Sequence, residues 1–447
     1  MHTLEQLRAG ALAGLPRVAI NAALTEVPTA LYQLADHLEV LDLSGNALRA
    51  LPDDLPRLHK LRILFCSDNQ FTELPPVLGQ CQSLRMVGFK ANQIRSVSAQ
   101  SLPPLLRWLT LTDNQITELP ESIGQCAHLQ KLMLAGNRLR ALPPSLAACQ
   151  RLELLRIAAN GLTVLPVWLL DMPRLAWLAF AGNPFCAALE EQALAQGGAA
   201  LPDIAWSALH LHELLGEGAS GVIYRATHFA DGAAQATAVK LFKGAMTSDG
   251  LPRSEMAACL RGGRHAHLIP VRGRVSAHPQ GIDGLVMDLM DAACTNLAGP
   301  PSLDSCTRDI YAAERRFDLA TALRIATGMA SAARHLHGQG VIHGDLYAHN
   351  TLTSPHGQAT LGDFGAASLY PFEDVALGEK LQRLEARAFG CLLEELLERV
   401  DAPAALQPLL AQLKTLQACC LGDLPAARPL FAEMEAALLQ AQSGLDR

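Results

Sequence analysis

The chain has 447 residues, too many for one ordinary core, so two domains or more are expected. Hydrophobic residues make up 50% and charged residues 18%, the balance of a folded chain without a long disordered stretch. A formal net charge of −7 with no Lys/Arg block gives no electrostatic reason to bind nucleic acid or an anionic membrane, and no run of 18 apolar residues offers a membrane span.

The N-terminus, MHTLEQLRAG, lacks a basic stretch followed by an apolar one, so a cytoplasmic site of action is expected. Further on, Asn46, Asn69, Asn92, Asn114, Asn137, Asn160 and Asn183 recur at intervals of 23, 23, 22, 23, 23 and 23 residues, and Asn21 lies 25 before the first. A fixed period of this size predicts a solenoid. Each unit follows L-x-x-L-x-L-x-x-N-x-L-x-x-L-P, cleanest in LEVLDLSGNALRALP from Leu38 and LQKLMLAGNRLRALP from Leu129. Leucines at positions 1, 4 and 6 point inward, and neighbouring units must stack to bury them. The asparagine amide is suited to pairing turn backbone that burial would otherwise leave unpaired. Of the eleven cysteines, Cys81, Cys126 and Cys149 each follow a repeat asparagine by twelve residues, which makes them core positions of the repeat and not a disulfide framework. The others show neither CxxC pairs nor His/Cys metal spacing, so no zinc site is expected.

These units resemble the leucine-rich repeat family over roughly residues 15 to 190, with seven or eight consecutive copies in agreement. The resemblance implies an α/β solenoid, or horseshoe, with function on its concave strand face. There position 3 supplies Val40, Ile63, Met86, Trp108, Lys131, Leu154 and Trp177, and position 5 adds Phe65 and Met133. So apolar a strip is expected to meet either a protein substrate or regulator, or this chain's own second domain. The period stops after Phe185, and AALEEQALAQGGAALPDIAW is expected to be a helical cap with a hinge at Gly197 and Gly198. The expected division is a repeat domain over 1–190, a linker over 191–205 and a second domain over 206–447.

The second domain opens on GEGASGVIY, a G-x-G-x-x-G pattern of the kind that brings backbone amides close to phosphates. Lys240 closes TAVK on a predicted strand, Glu255 sits on a predicted helix, and HGDLYAHN and LGDFG place Asp345 and Asp363 18 residues apart. In this order the motifs resemble the protein kinase family over about residues 206 to 447, with an N-lobe at 206–290 and a C-lobe at 291–447. LVMDLM would be the strand into the hinge, EARAFGCLLEELL the buried C-lobe helix and DLPAARPLF the closing Arg-Pro signature.

The resemblance implies an α+β bilobal fold, ATP, and Mg2+ with Mn2+ as an alternative. Gly216, Glu217, Gly218, Ala219, Ser220 and Gly221 would cover the phosphates, and Lys240 would hold them while pairing with Glu255. Ile223, Ala238 and Leu352 would sandwich the adenine near Met287, Asp288 and Met290. Asp345 would accept the proton of the substrate hydroxyl, and Asn350 and Asp363 would hold the metal. Such residue types are needed because the transferred phosphoryl group spreads negative charge, which positioning and cations must meet.

Three departures qualify this reading. Gly344 stands where many kinases have the Arg that grips a phosphorylated activation loop, and Tyr347 stands where Ser/Thr kinases place a phosphate-contacting Lys, leaving His349 as the nearby base. Only AASLY separates Gly365 from PFE at 371 to 373, so the activation segment is truncated. An ion pair between Glu373 and Arg428 is expected, and Ser368 or Tyr370 are candidate self-phosphorylation sites. The sequence thus points to an ATP/Mg-dependent protein kinase, Ser/Thr in type, whose repeats dock a protein. A nucleotide-binding pseudokinase scaffold and a small-molecule kinase regulated by the repeats stand as the alternatives.

Overall fold

The computed structural model describes every residue except Ala219, Asp231, Ala245, Asp446 and Arg447, together with the side chains of residues 197–200. The expected hinge pair Gly197–Gly198 therefore falls outside the described residues. By contact density the chain forms two compact units, Met1–Met172 and Pro173–Arg447.

The first unit opens with a short helix, α1 (Leu4–Arg8), capped by Thr3, and then stacks parallel strands in sequence order. They are β1 (Arg17–Ala19), β2 (Val40–Asp42), β3 (Ile63–Phe65), β4 (Met86–Gly88), β5 (Trp108–Thr110), β6 (Lys131–Met133) and β7 (Leu154–Arg156). The central residues Val18, Leu41, Leu64, Leu109, Leu132 and Leu155 have no exposed surface, as alternation along a strand requires. Between strands the chain returns through short 3-10 turns such as Pro76–Gln80 and Pro144–Ala148, where the preceding prolines fix φ and stop a longer helix. Cys81, Cys126 and Cys149 are buried in this layer, and burial pushes their thiols up to about 11, 11 and 12.

The asparagines form a ladder. Asn137 Nδ2 donates to the carbonyls of Leu111 and Leu134, both at 2.9 Å, while its Oδ1 accepts from Ile116 N–H at 3.0 Å. The same set of bonds is made by Asn69 and Asn160, so each side chain ties its own turn to the preceding one. Truncating Asn137 to Ala strands the buried Ile116 N–H and takes one of two donors from each of the Leu111 and Leu134 carbonyls, which keep Asn114 and Asn160. A loss of about 3 kcal/mol is expected in urea unfolding of the variant against wild type.

The second unit begins with the eighth repeat copy, which supplies β8 (Trp177–Ala179) and a following helix, α2 (Ala187–Ala200). After it come β9 (Asp203–Ala205), β10 (Leu209–Glu217), β11 (Gly221–Ala230), β12 (Ala233–Phe242), α3 (Pro252–Gly262), β13 (Val271–Ser276) and β14 (Gly284–Asp288). They build a six-stranded sheet in the order β10-β11-β12-β14-β13-β9, antiparallel except where β9 joins β13. A helical lobe follows: β15 (Thr295–Asn296), α4 (Leu319–Gly338), β16 (Val341–Ile342), β17 (Thr351–Thr353), β18 (Ala359–Leu361), β19 (Ser368–Leu369), α5 (Val375–Leu397), α6 (Gln407–Leu421) and α7 (Phe431–Leu445). Asp318 and Asp374 cap α4 and α5 by accepting from Thr321 and Leu377 N–H, which fixes where each helix starts. Among the described residues no helix is long and apolar enough to cross a membrane.

Candidate active site

The glycine-rich turn joins β10 to β11, closed by Gly218 N–H donating to the Gly221 carbonyl at 2.9 Å. Only Gly221 is there for space: a Cβ on it would lie 2.6 Å from the Leu241 carbonyl, whereas Gly216 and Gly218 face open volume. Pairing of β11 with β12 sets Ile223 opposite Lys240, and pairing of β12 with β14 sets Ala238 opposite Met287. Lys240 Nζ makes a buried ion pair with Glu255 Oε1, carried on α3. Burial draws the Lys240 ammonium down, but Glu255 and Asp363 outweigh it and hold it above its ordinary value, hence charged.

One cavity is lined by Gly218, Ser220, Gly221, Ile223, Lys240, Glu255, Met287 and Asp363. Its remaining wall includes Leu285 of LVMDLM and Phe364 of LGDFG, together with Cys259, Leu268, Ile269 and Val271, apolar side chains that carry no motif of their own and are recognisable only once the sheet is folded. Ala238 is buried in β12, while Leu352 on β17 and Met290 are half-buried. The Asp288 carboxylate is bound by Arg272 and Glu217 by Lys243, so neither side chain is uncommitted; Ala219 lies outside the described residues.

Asp345 and Asn350 lie on a short loop between β16 and β17, which reaches the cavity through Gly362 and Asp363. Asn350 Nδ2 donates to Asp345 Oδ2 at 2.8 Å and to the Asp345 carbonyl at 3.0 Å, locking the two side chains together. Gly362 N–H donates to the Asn350 carbonyl at 2.9 Å, which sets Asn350 beside the Gly362–Asp363 turn. Asp363 is held at φ 49°, and its Oδ1 accepts from Gly365 N–H at 3.1 Å. His343 is fully buried and bonds the Gly362 carbonyl at 3.0 Å, joining the loop to that turn a second time. His349 pairs with Asp309 at 2.7 Å; burial works against its charge, but Asp309, Asp345 and Asp363 hold the imidazole above its ordinary value. Asp309 lies forty residues upstream and had no sequence signal.

Among the described residues no three His, Cys, Asp or Glu gather into a metal cage. The hard oxygens of Asp363 and Asn350 are the donor type that suits magnesium, an ion commonly held by one or two protein oxygens with phosphate and water completing its shell.

A buried Lys–Glu pair and a Gly-rich turn thus line one cavity, and an Asp–Asn loop is tied to the DFG turn at its edge. The chain carries leucine-rich repeats and a protein kinase domain. The family profile "Protein tyrosine and serine/threonine kinase" matches residues 209–387, and the "Leucine Rich Repeat" profile matches residues 37–58. A 177-residue stretch is 28% identical to the serine/threonine-protein kinase mos of Xenopus laevis, covering 39% of this chain and 46% of that protein. Another 102 residues are 36% identical to the human leucine-rich repeat-containing protein 58, covering 21% and 28%. A probable inactive serine/threonine-protein kinase of Dictyostelium discoideum, roco10, matches over 86 residues at 33% identity, covering 19% and 3%. The chain spans less than half the length of each of these relatives.

Within the kinase domain, several expectations need correction. Arg428 is buried and donates to the carbonyls of Gly422, Arg383 and Pro173, while Glu373 is exposed, so the expected pair between Glu373 and Arg428 is replaced by carbonyl bonds. Ser368 and Tyr370 are also buried. The Ser368 hydroxyl accepts from Phe180 and Ala181 N–H at 2.9 and 3.1 Å, and the Tyr370 hydroxyl bonds His337, so neither is placed as a phosphorylation site. Finally, Val40, Phe65 and Trp108 keep partial exposure, whereas Ile63, Met86, Met133, Leu154 and Trp177 are buried and do not form an open strip. Part of the reason is mutual cover: the Phe65 ring lies over Gly88, the Thr110 hydroxyl bonds the Met133 sulfur at 3.7 Å, and the Lys131 ammonium sits 4.1 Å above the Trp108 ring. Trp177 is covered by Tyr347, on the loop between β16 and β17 of the kinase domain itself.

Proposed function

We propose that this chain is an ATP- and magnesium-dependent protein kinase, of Ser/Thr type, with a repeat domain over 1–190 docking its protein substrate or regulator. The observation that carries this reading is the joint placement of Lys240, Glu255 and Asp363 at one cavity, with Asp345 and Asn350 tied to Asp363 through Gly362. Lys240 would hold the α/β-phosphates, and Asn350 and Asp363 would hold magnesium, which neutralises charge on the phosphates. Asp345 would take the hydroxyl proton of the substrate as that oxygen bonds the γ-phosphorus and ADP departs. His349 supports the reading: Asp309, Asp345 and Asp363 hold its imidazole above its ordinary value, and its protonated form would put a cation near the place where the family's lysine is missing.

Docking at the repeats would raise the local concentration of substrate, offsetting a weak peptide site. Val40, Phe65, Trp108 and Lys131 are the residues of the expected strip with surface left to contribute. A pseudokinase scaffold is the second reading, favoured by Tyr347 in place of a lysine. The two are separated by incubating the chain with γ-labelled ATP, magnesium and cell lysate, beside Asp363→Ala. Label on protein that disappears in the variant supports the kinase; nucleotide binding with no label anywhere supports the scaffold.

A further inference from the structure

Gly344, Tyr347 and the shortened activation segment are three departures from the kinase pattern, and all three meet the last repeat copy. Trp177 of β8 stacks flat on Tyr347, with ring centroids 4.3 Å apart and planes 6° from parallel, and its indole N–H donates to the Leu346 carbonyl at 3.3 Å. Gly344 has φ 71°, and a Cβ there would lie 2.6 Å from the Leu178 carbonyl and 2.7 Å from that of Ala366. No side chain fits, so the family's arginine is excluded by β8 itself. Ser368, in what remains of the activation segment, accepts from Phe180 and Ala181 N–H.

The capping helix that follows makes a second contact. Glu190 on α2 accepts from Gly182 N–H at 2.7 Å through one oxygen and from the Ser254 hydroxyl at 2.9 Å through the other. Ser254 immediately precedes Glu255, the partner of Lys240. Leu194 and Leu201 pack on the core formed by Phe242, Met256, Leu260, Val271 and Leu285, which joins α3 to the sheet.

We propose that the last repeat and its cap are a built-in brace that positions both adjustable parts of the kinase domain: the catalytic loop through Trp177, and helix α3 through Glu190. The assignment rests on the kinase reading given above. In a kinase with a full activation segment, phosphorylation supplies a charge that orders this region. Here the stack and the carbonyl contacts of β8 do that work without a modification, so the active arrangement is constitutive. Trp177 and Glu190 are positioning residues, since neither lines the cavity.

The test uses the full chain with Trp177→Ala, Trp177→Phe and Glu190→Ala, and two readouts. Hydrogen exchange of the Gly344, His349 and Asn350 amides is expected to rise at least about fivefold in Trp177→Ala, with most protection restored by Phe, which keeps the stack. Turnover is expected to fall about tenfold to hundredfold at a KM for ATP within about threefold of wild type, because Asp345 is displaced while the nucleotide site is intact. Glu190→Ala is expected to raise exchange across α3 and to leave the catalytic loop protected. Unchanged loop exchange in Trp177→Ala, or a rise in KM with turnover unaltered, would overturn the brace. Should Trp177→Ala not fold, Trp177→Phe and Glu190→Ala decide it by the same exchange measurements, and α3 exchange equal to wild type in Glu190→Ala counts against it. Exchange is independent of catalysis, so a wild type that transfers no phosphate would fail the kinase reading and leave the brace to be judged on exchange alone.

Discussion

Asp345→Asn is expected to lower phosphate transfer about thousandfold while ATP still protects the chain against heat. The substitution is nearly isosteric, and the Asn350 amide that donates to Asp345 Oδ2 at 2.8 Å finds a carbonyl oxygen in the same place. What is lost is the carboxylate that, in the proposed mechanism, would take the hydroxyl proton as the new P–O bond forms. Asp345 is not among the residues that line the cavity, so nucleotide affinity should change little. A thermal shift by ATP equal to that of wild type, with turnover near zero, is the expected pair of results. Equal turnover in the two proteins would remove Asp345 from the chemistry.

Glu385→Ala is expected to cost about 3–5 kcal/mol in unfolding, the largest stability loss among single carboxylate truncations in the kinase domain. Glu385 has no exposed surface; it accepts from Gly344 N–H at 2.7 Å and pairs with His337 at 2.9 Å. Its removal takes an acceptor from a buried amide and one of two partners from a buried imidazole, which keeps Tyr370. The pH dependence has a definite sign. Burial pushes the Glu385 carboxyl up, but His337, His343 and the Gly344 N–H together hold it below its ordinary value of 4.5. Such a group stabilises fully above 4.5, and its contribution is lost as pH falls through the lower value it has in the folded chain. Wild type should therefore lose stability in that acid window, and Glu385→Gln should show a flatter profile there. Urea unfolding at several pH values measures both.

The repeat architecture was legible because its period is rigid. An asparagine every 23 residues or so admits one structural explanation, and the ladder from Asn46 to Asn160 supplies it in hydrogen bonds. The kinase domain was legible for a similar reason: Lys240, Asp345, Asn350 and Asp363 stand at the spacing of the kinase pattern, in which such residues would hold phosphates and metal. Tertiary consequences were not legible. Trp177 sits in the same repeat position as Trp108, yet one stacks on Tyr347 in a buried contact and the other lies under Lys131 with partial exposure. Period alone assigns both to a face, and only packing decides what covers them. Arg428 shows the same limit, since the Arg-Pro pattern marks a buried arginine but not its acceptors, which are carbonyls and not Glu373.

Gly344 and Tyr347 look like losses when read one at a time against the kinase pattern. Their neighbours give them a common cause in the strand at Trp177–Ala179, which occupies the space an arginine would need and provides the ring on which Tyr347 lies. Departures that share one neighbour are better explained by that neighbour than by decay of the site.

The most direct measurement of the central claim is the identity of the phosphate acceptor. Full-length chain is incubated with γ-labelled ATP and magnesium in a lysate separated into protein and metabolite fractions, and labelled protein is hydrolysed to its phosphoamino acids. Label recovered as phosphoserine or phosphothreonine, absent with Asp345→Asn, is the predicted result. Label confined to the metabolite fraction, or nucleotide binding without transfer to either fraction, would contradict it.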